Sequence, residues 1–126
     1  MSKNIEANKS VVRRYLRAVV NADAEKIESL HHPDAKYWTL GRGDIDRNTY
    51  IGGTKMLLSA SKRRIDIKTI TAEDDRVCVE CEAEFVFGDR VYRNIYSLIF
   101  TVQDDVIVQA HEYMDPRASE KAIKLS

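Results

Sequence analysis

The chain has 126 residues, and its 20 basic and 20 acidic side chains cancel to a formal net charge of zero. That length is one domain, and 44% hydrophobic with 32% charged residues is the make-up of a soluble globular fold, not of a fibre or a disordered tail. Zero net charge weighs against generic binding to nucleic acid or anionic membrane, since both need a positive excess. No apolar run approaches the ~20 residues of a membrane span. The opening Met1–Ala7 lacks a signal-peptide core, so a cytoplasmic protein is expected.

Helical spacing of Val12, Leu16 and Val19, with Val11 and Tyr15 beside them, predicts a helix over 4–20; Arg13, Arg14 and Arg17 fall on its solvated side. Asn21-Ala22-Asp23 breaks it, and Asp23 is a favoured N-cap for a second helix over 24–31, with Ile27 and Leu30 inward. Pro33 is expected to end that helix. His31 and His32 would then lie at its C-terminus, where positive charge suits the macrodipole. Residues 37–40 read as a short strand and 41–44 as a loop. A third helix is expected over 48–62, with Met56, Leu57 and Ala60 on its apolar side and Gly52 and Gly53 weakening its start.

From residue 65 the period changes from 3.6 to 2. Strands are expected over 65–72, 76–87, 90–103 and 106–114, divided by turns at Glu73-Asp74-Asp75, Gly88-Asp89 and Gln103-Asp104-Asp105. The short connections predict consecutive antiparallel hairpins. In 76–87, Val77, Val79, Cys81, Ala83, Phe85 and Phe87 alternate with Cys78, Glu80, Glu82 and Glu84, so one face is buried. Helices followed by a meander give an α+β fold. Asp115-Pro116 predicts a last short helix, aspartate being a favoured N-cap and proline a favoured first residue.

Most motifs dissolve on inspection. Cys78-Val79-Glu80-Cys81 spells C-x-x-C, but on a strand the two thiols lie roughly 10 Å apart and point to opposite faces. His31, His32 and His111 lack metal-ligand spacing, and no metal site is expected. Neither Gly41-Arg42-Gly43 nor Gly52-Gly53-Thr54-Lys55 has the surroundings of a nucleotide-binding loop. Lys62-Arg63-Arg64 reads as a solvated turn.

What remains is a polar and aromatic set: Tyr15, Trp38, Tyr50, Asn94, Tyr96 and Glu112. Glu112 shares strand parity with Val108 and Ala110, whereas Ile107, Gln109, His111 and Tyr113 share the other. A carboxylate in an apolar row is desolvated and its pKa rises, which is how a general acid or base is poised. A partner arginine or an exposed strand end is the alternative. Asn94 and Tyr96 share a face with Leu98, Phe100 and Val102, and an asparagine there needs hydrogen bonds from backbone or ligand.

The segments Val12–Leu16 through Asp34–Trp38, Tyr50–Leu57 around Gly53, and Asn94–Phe100 through Glu112–Pro116 resemble the SnoaL-like branch of the NTF2-like superfamily. That superfamily includes ketosteroid isomerases, polyketide cyclases and limonene epoxide hydrolase. The resemblance covers nearly the whole chain, and its most specific part is Glu112-Tyr113-Met114-Asp115. It implies one α+β domain over residues 1–126, a cystatin-like cone of helices on a curved antiparallel sheet, with an apolar pocket and a homodimer formed through the sheet. The epoxide hydrolase's last-strand carboxylate falls on Glu112, but its arginine–aspartate pair would fall on Val79 and Cys81. The isomerase's base falls near Trp38 and Thr39, and its oxyanion-hole aspartate near Tyr96 or Ser97.

The favoured reading is therefore a cofactor-independent enzyme acting on a small hydrophobic carbonyl- or epoxide-like molecule. Glu112 and Tyr96 would be catalytic, and Tyr15, Trp38, Tyr50, Cys81 and Asn94 would contact substrate. The other reading is a non-catalytic module that binds a small ligand or dimerises.

Overall fold

Asn4 opens the first helix, its side chain accepting a hydrogen bond from the Ala7 N–H at 2.9 Å. A computed structural model describes residues 4–118. Helix α1 (Ile5–Val20) buries Val11, Val12, Tyr15, Leu16, Ala18 and Val19, the stripe expected from its spacing. Asp23 caps α2 (Ala24–Ser29) through the Lys26 N–H. The chain continues through β1 (His31–Thr39), β2 (Gly43–Ile45), α3 (Arg47–Met56) and a 3₁₀ turn at Leu57–Ser59. Strands β3 (Lys62–Glu73), β4 (Arg76–Phe87), β5 (Arg90–Gln103) and β6 (Val106–Tyr113) complete it. Among the described residues, no helix is long and apolar enough to cross a membrane.

The six strands form one curved, unclosed sheet in the order β2-β1-β6-β5-β4-β3, with the helices packed on it. Strands β3 to β6 pair antiparallel in sequence, as the short turns require. Strand β1 lies parallel to β6, aligning Thr39 with Glu112. In β4 the predicted alternation holds: Val77, Val79, Cys81, Ala83 and Phe85 are buried. Cys78 and Cys81 are both free thiols, one half-buried and one buried. In β6 the ladder to β5 slips between Thr101–Gln109 and Val102–Ile107, so Val108 is an extra residue. That bulge brings Ile107 and Ala110 to the same buried side although three positions separate them. Ile107 was expected on the opposite face; the bulge is the reason it is not.

Several boundaries differ from expectation. Helix α2 stops at Ser29, and Pro33 lies inside β1 instead of ending the helix. It sits where the β1–β6 register breaks between His31 and Lys36, so no ladder bond is lost to its missing N–H. His31 and His32 do not cap α2. Arg47 does so instead, its guanidinium donating to the Glu28 and His32 carbonyls at 3.1 Å each and to the His31 carbonyl at 3.4 Å.

The third helix ends at Met56, which is 73% exposed and therefore not on its apolar side; Tyr50, Ile51 and Thr54 are. Residues 43–45 form β2 in place of loop, and β3 begins at Lys62, absorbing the basic triplet. Arg63 is not a solvated turn residue. Its guanidinium donates to the Val20 carbonyl at 2.9 Å and to the Leu58 and Ala60 carbonyls, closing the end of α1 against the start of β3. Asp115 does cap the final turn, accepting the Arg117 N–H at 2.9 Å; the expected helix beyond Ala118 lies outside the described residues.

Candidate functional site

A cavity of about 60 Å³ lies between the helices and the concave side of the sheet. Tyr15, Leu16 and Val19 of α1, Tyr50 and Thr54 of α3, and Leu57 close it from the helical side. Ile65, Cys81, Ala83, Phe85, Tyr96, Leu98 and Glu112 close it from the sheet. The helical periodicity that buries Tyr15 and the i, i+4 spacing of Tyr50 and Thr54 aim three hydroxyls at one place. Tyr15 Oη lies 3.1 Å from Tyr50 Oη and 3.3 Å from Thr54 Oγ1.

Glu112 joins this cluster from β6. The residue is partly exposed as a whole, but its carboxyl is deeply buried, and burial raises its pKa above the ordinary carboxylate range. A hydrogen bond from Tyr50 pulls the other way, and no cation among the described residues contributes. Burial first, and the nearby Glu112 charge second, push Tyr15 and Tyr50 well above the usual phenol range, so both stay protonated. One consistent set of proton positions runs Thr54 to Tyr15 to Tyr50 to Glu112, each hydroxyl donating to the next. The same two causes push the Cys81 thiol up to about 11, which leaves it a neutral, weakly nucleophilic wall residue.

Tyr96 enters from β5 and is held by a second hydroxyl pair. Asn94 Nδ2 donates to Tyr92 Oη at 2.9 Å, and Tyr92 Oη lies 2.6 Å from Tyr96 Oη. With Asn94 donating to it, the Tyr92 hydroxyl can give its own proton to Tyr96, leaving the Tyr96 proton free for the cavity. Burial and then Tyr92 raise the Tyr96 pKa far above the usual phenol value. Tyr96 is a donor, not a base.

A second layer backs the site. The Tyr37 ring stacks on Tyr50 with centroids 4.1 Å apart and planes 10° from parallel. Tyr37 Oη lies 2.8 Å from His31 Nδ1, and the His31 ring meets Tyr15 edge-on at 4.6 Å. Burial, helped by Arg47, drives the His31 pKa down to about 3, so the ring is neutral. A larger concavity of about 1140 Å³ between β1, β2 and α3 is open to solvent and walled by Asp34, Lys36, Asp44 and Arg47. It holds no buried carboxyl, and the smaller cavity is the chemical candidate. Among the described residues, no group of three or more histidines, cysteines and carboxylates is placed to hold a metal ion.

The model of the SnoaL-like domain matches residues 12–110. The chain belongs to the SnoaL-like family. No curated protein sequence matches this SnoaL-like protein. Solved structures match it over most of their length. An LEH-like epoxide hydrolase from M. tuberculosis superposes with a TM-score of 0.80 at 18% identity, covering 96% of this chain and 92% of its own. A Jannaschia protein provisionally assigned as a SnoaL-like polyketide cyclase gives 0.79 at 16%, covering 100% and 97%. A Kribbella flavida protein provisionally assigned as a ketosteroid isomerase gives 0.73 at 15%, covering 90% and 81%. At these identities the likeness shows the NTF2-like fold alone.

Of the residues singled out from the sequence, Tyr15, Tyr50, Cys81, Tyr96 and Glu112 meet at the cavity of this SnoaL-like protein. Trp38 and Asn94 do not. Trp38 lies on the outer sheet face against His111 and Tyr113, at centroid distances of 5.6 and 5.1 Å. The Asn94 side chain is saturated by Tyr92, the Ile95 N–H and both backbone groups of Asp115. It positions Tyr92 instead of facing a ligand. Thr54, Tyr92 and Tyr37 are not singled out by the sequence, and His31, expected at a helix end, instead backs the site as a neutral ring. The i, i+4 relation of Thr54 to Tyr50 and the i, i+2, i+4 run of Tyr92, Asn94 and Tyr96 were the available signals.

Proposed function

We propose that this SnoaL-like protein binds a small hydrophobic carbonyl- or epoxide-like molecule and converts it by cofactor-independent acid–base chemistry. The observation that carries this is Glu112: a buried carboxyl of raised pKa, with no cation beside it among the described residues, in a cavity rimmed by hydroxyl donors. As a base it would take a proton from carbon next to a carbonyl, or from water attacking an epoxide. Tyr96 would donate to the substrate oxygen as negative charge develops there. Incubation with enones, epoxides and polyketide-like compounds tests this, with Glu112→Gln as the control. Turnover that the variant loses supports the reading; equal turnover in both proteins defeats it.

A non-catalytic binding module is the second reading, favoured by the single carboxylate in the cavity and by Cys81 and Val79 on the apolar row of β4. Saturable binding without turnover of any compound, unchanged by Glu112→Gln, would establish it.

We also propose a homodimer through the outer sheet face. Support comes from the Trp38, His111 and Tyr113 cluster there and from Ile95, 63% exposed on the neighbouring strand. Sedimentation at several concentrations should give a dimer that Ile95→Lys weakens; a monomer throughout rejects it.

A further inference from the structure

We propose that the cavity takes a compact, neutral, short-chain compound with one polar end, a ketone, aldehyde or epoxide of about four to six carbons, and that Leu57 and Ile65 set its length limit. This rests on the acid–base reading of Glu112. Three observations lead to it.

The first is volume. A cavity of about 60 Å³ has room for more than one water-sized group, a single water needing at least roughly 10–15 Å³, but for only a short chain. Sites for drug-sized ligands run to roughly 300–1,000 Å³.

The second is polarity. Glu112 lies on β6, whereas Ile65 lies on β3, three strands away in the sheet. At ~4.8 Å per strand the two backbones lie roughly 14 Å apart across the strands, with a further offset along them, since Ile65 aligns through Ala83 with Asn94 and Glu112 aligns with Leu98. Tyr15, Tyr50 and Thr54 gather at the Glu112 end; Ile65, Ala83 and Phe85 line the other. Among the described residues no lysine or arginine lines the cavity, so an anionic ligand would meet the Glu112 charge uncompensated.

The third is where the wall can yield. Phe85 is 1% exposed and stacks on Tyr92. Leu16, Val19, Cys81, Ala83 and Leu98 are buried as well. Among the described apolar lining residues Leu57 and Ile65 are the partly exposed ones, so a chain end pressing on them meets the least buried part of the apolar wall.

The test is a titration of the full chain with the 2-alkanones from butanone to decanone, read by the amide shifts of Cys81, Ala83, Tyr96 and Glu112. Affinity should rise about fourfold per added methylene up to hexanone, the equivalent of ~0.8 kcal/mol each, and fall for octanone and decanone. Leu57→Ala or Ile65→Ala should move the turning point outward by one or two carbons. A rise in wild type that continues through decanone, or a turning point that neither variant moves, overturns the length limit. The Glu112 carboxyl titration in the same samples reports the underlying reading separately. A raised value leaves that reading standing whatever the ketones do, and an ordinary carboxylate value overturns it. No perturbation of these amides by any ketone overturns the proposal at every length.

Discussion

Tyr15 and Tyr50 share a buried hydrogen bond of 3.1 Å that ties α1 to α3 at the edge of the cavity. The bond couples two elements 35 residues apart, and through Tyr50 it reaches the Glu112 carboxyl. Helix packing and site electrostatics therefore share a phenol.

Tyr50→Phe tests that coupling. Removing the hydroxyl takes away the one hydrogen bond that lowers the Glu112 pKa, so the carboxyl should titrate higher still in the variant. Stability should fall by ~1 kcal/mol, because Tyr15 keeps Thr54 as a partner. Carbon-13 titration of the Glu112 side chain and urea melts measure the two effects; a Glu112 pKa that falls contradicts the assignment.

The charge state of Glu112 also sets a pH dependence of stability. Its pKa is raised in the folded chain, so the native state holds that proton more tightly than the unfolded state. The contribution is fully present below the unfolded value near 4.5 and is lost as pH rises through the elevated folded value. The melting temperature of Glu112→Gln should therefore gain on wild type between pH 4.5 and neutrality. A difference that is flat across that window counts against a raised pKa.

His31 acts with the opposite sign. Its folded pKa of about 3 lies below the ordinary 6.5, so the unfolded chain takes up the proton first on acidification. Its contribution is present above pH 6.5 and is lost as pH falls toward 3, at up to ~1.4 kcal/mol per pH unit. His31→Leu should lower stability at neutral pH through the lost Tyr37 partner and flatten the acid limb of the curve. An unchanged acid limb would contradict a neutral buried ring.

Arg47→Ala should cost about 1–2 kcal/mol, since three carbonyls at the α2–β1 junction lose their donor. Lysine cannot reproduce the fork of donors, so Arg47→Lys should recover less than half of that. Thermal melts of the three proteins give the comparison.

The helices and the meander were legible because each depends on local period: the α1 stripe and the β4 alternation both appear as expected. Pro33 misled because a proline reads locally as a helix stop, whereas its tolerance in β1 depends on a register break set by the distant β6. As the sole tryptophan, Trp38 reads as a site residue. Which face of β1 looks inward is decided by its parallel pairing, which buries Tyr37 and Thr39 and turns Trp38 out. Glu112 was placed inside by parity with Ala110, which holds, although the same parity put Ile107 outside. A short strand's pattern cannot reveal a bulge whose only trace is the partner's register.

The bulge at Val108 is a reading-frame device in three dimensions. One inserted residue lets β6 present Ile107 to the core at one end and a carboxyl to the cavity at the other, which an unbroken alternation forbids. Deleting Val108 would make the ladder continuous, with Gln109 opposite Thr101 and Ile107 opposite Val102 in succession, and would leave both Ile107 and Glu112 facing inward. The bulge thus reconciles an odd five-residue spacing between two inward side chains with a period of two, and does so outside the cavity it serves.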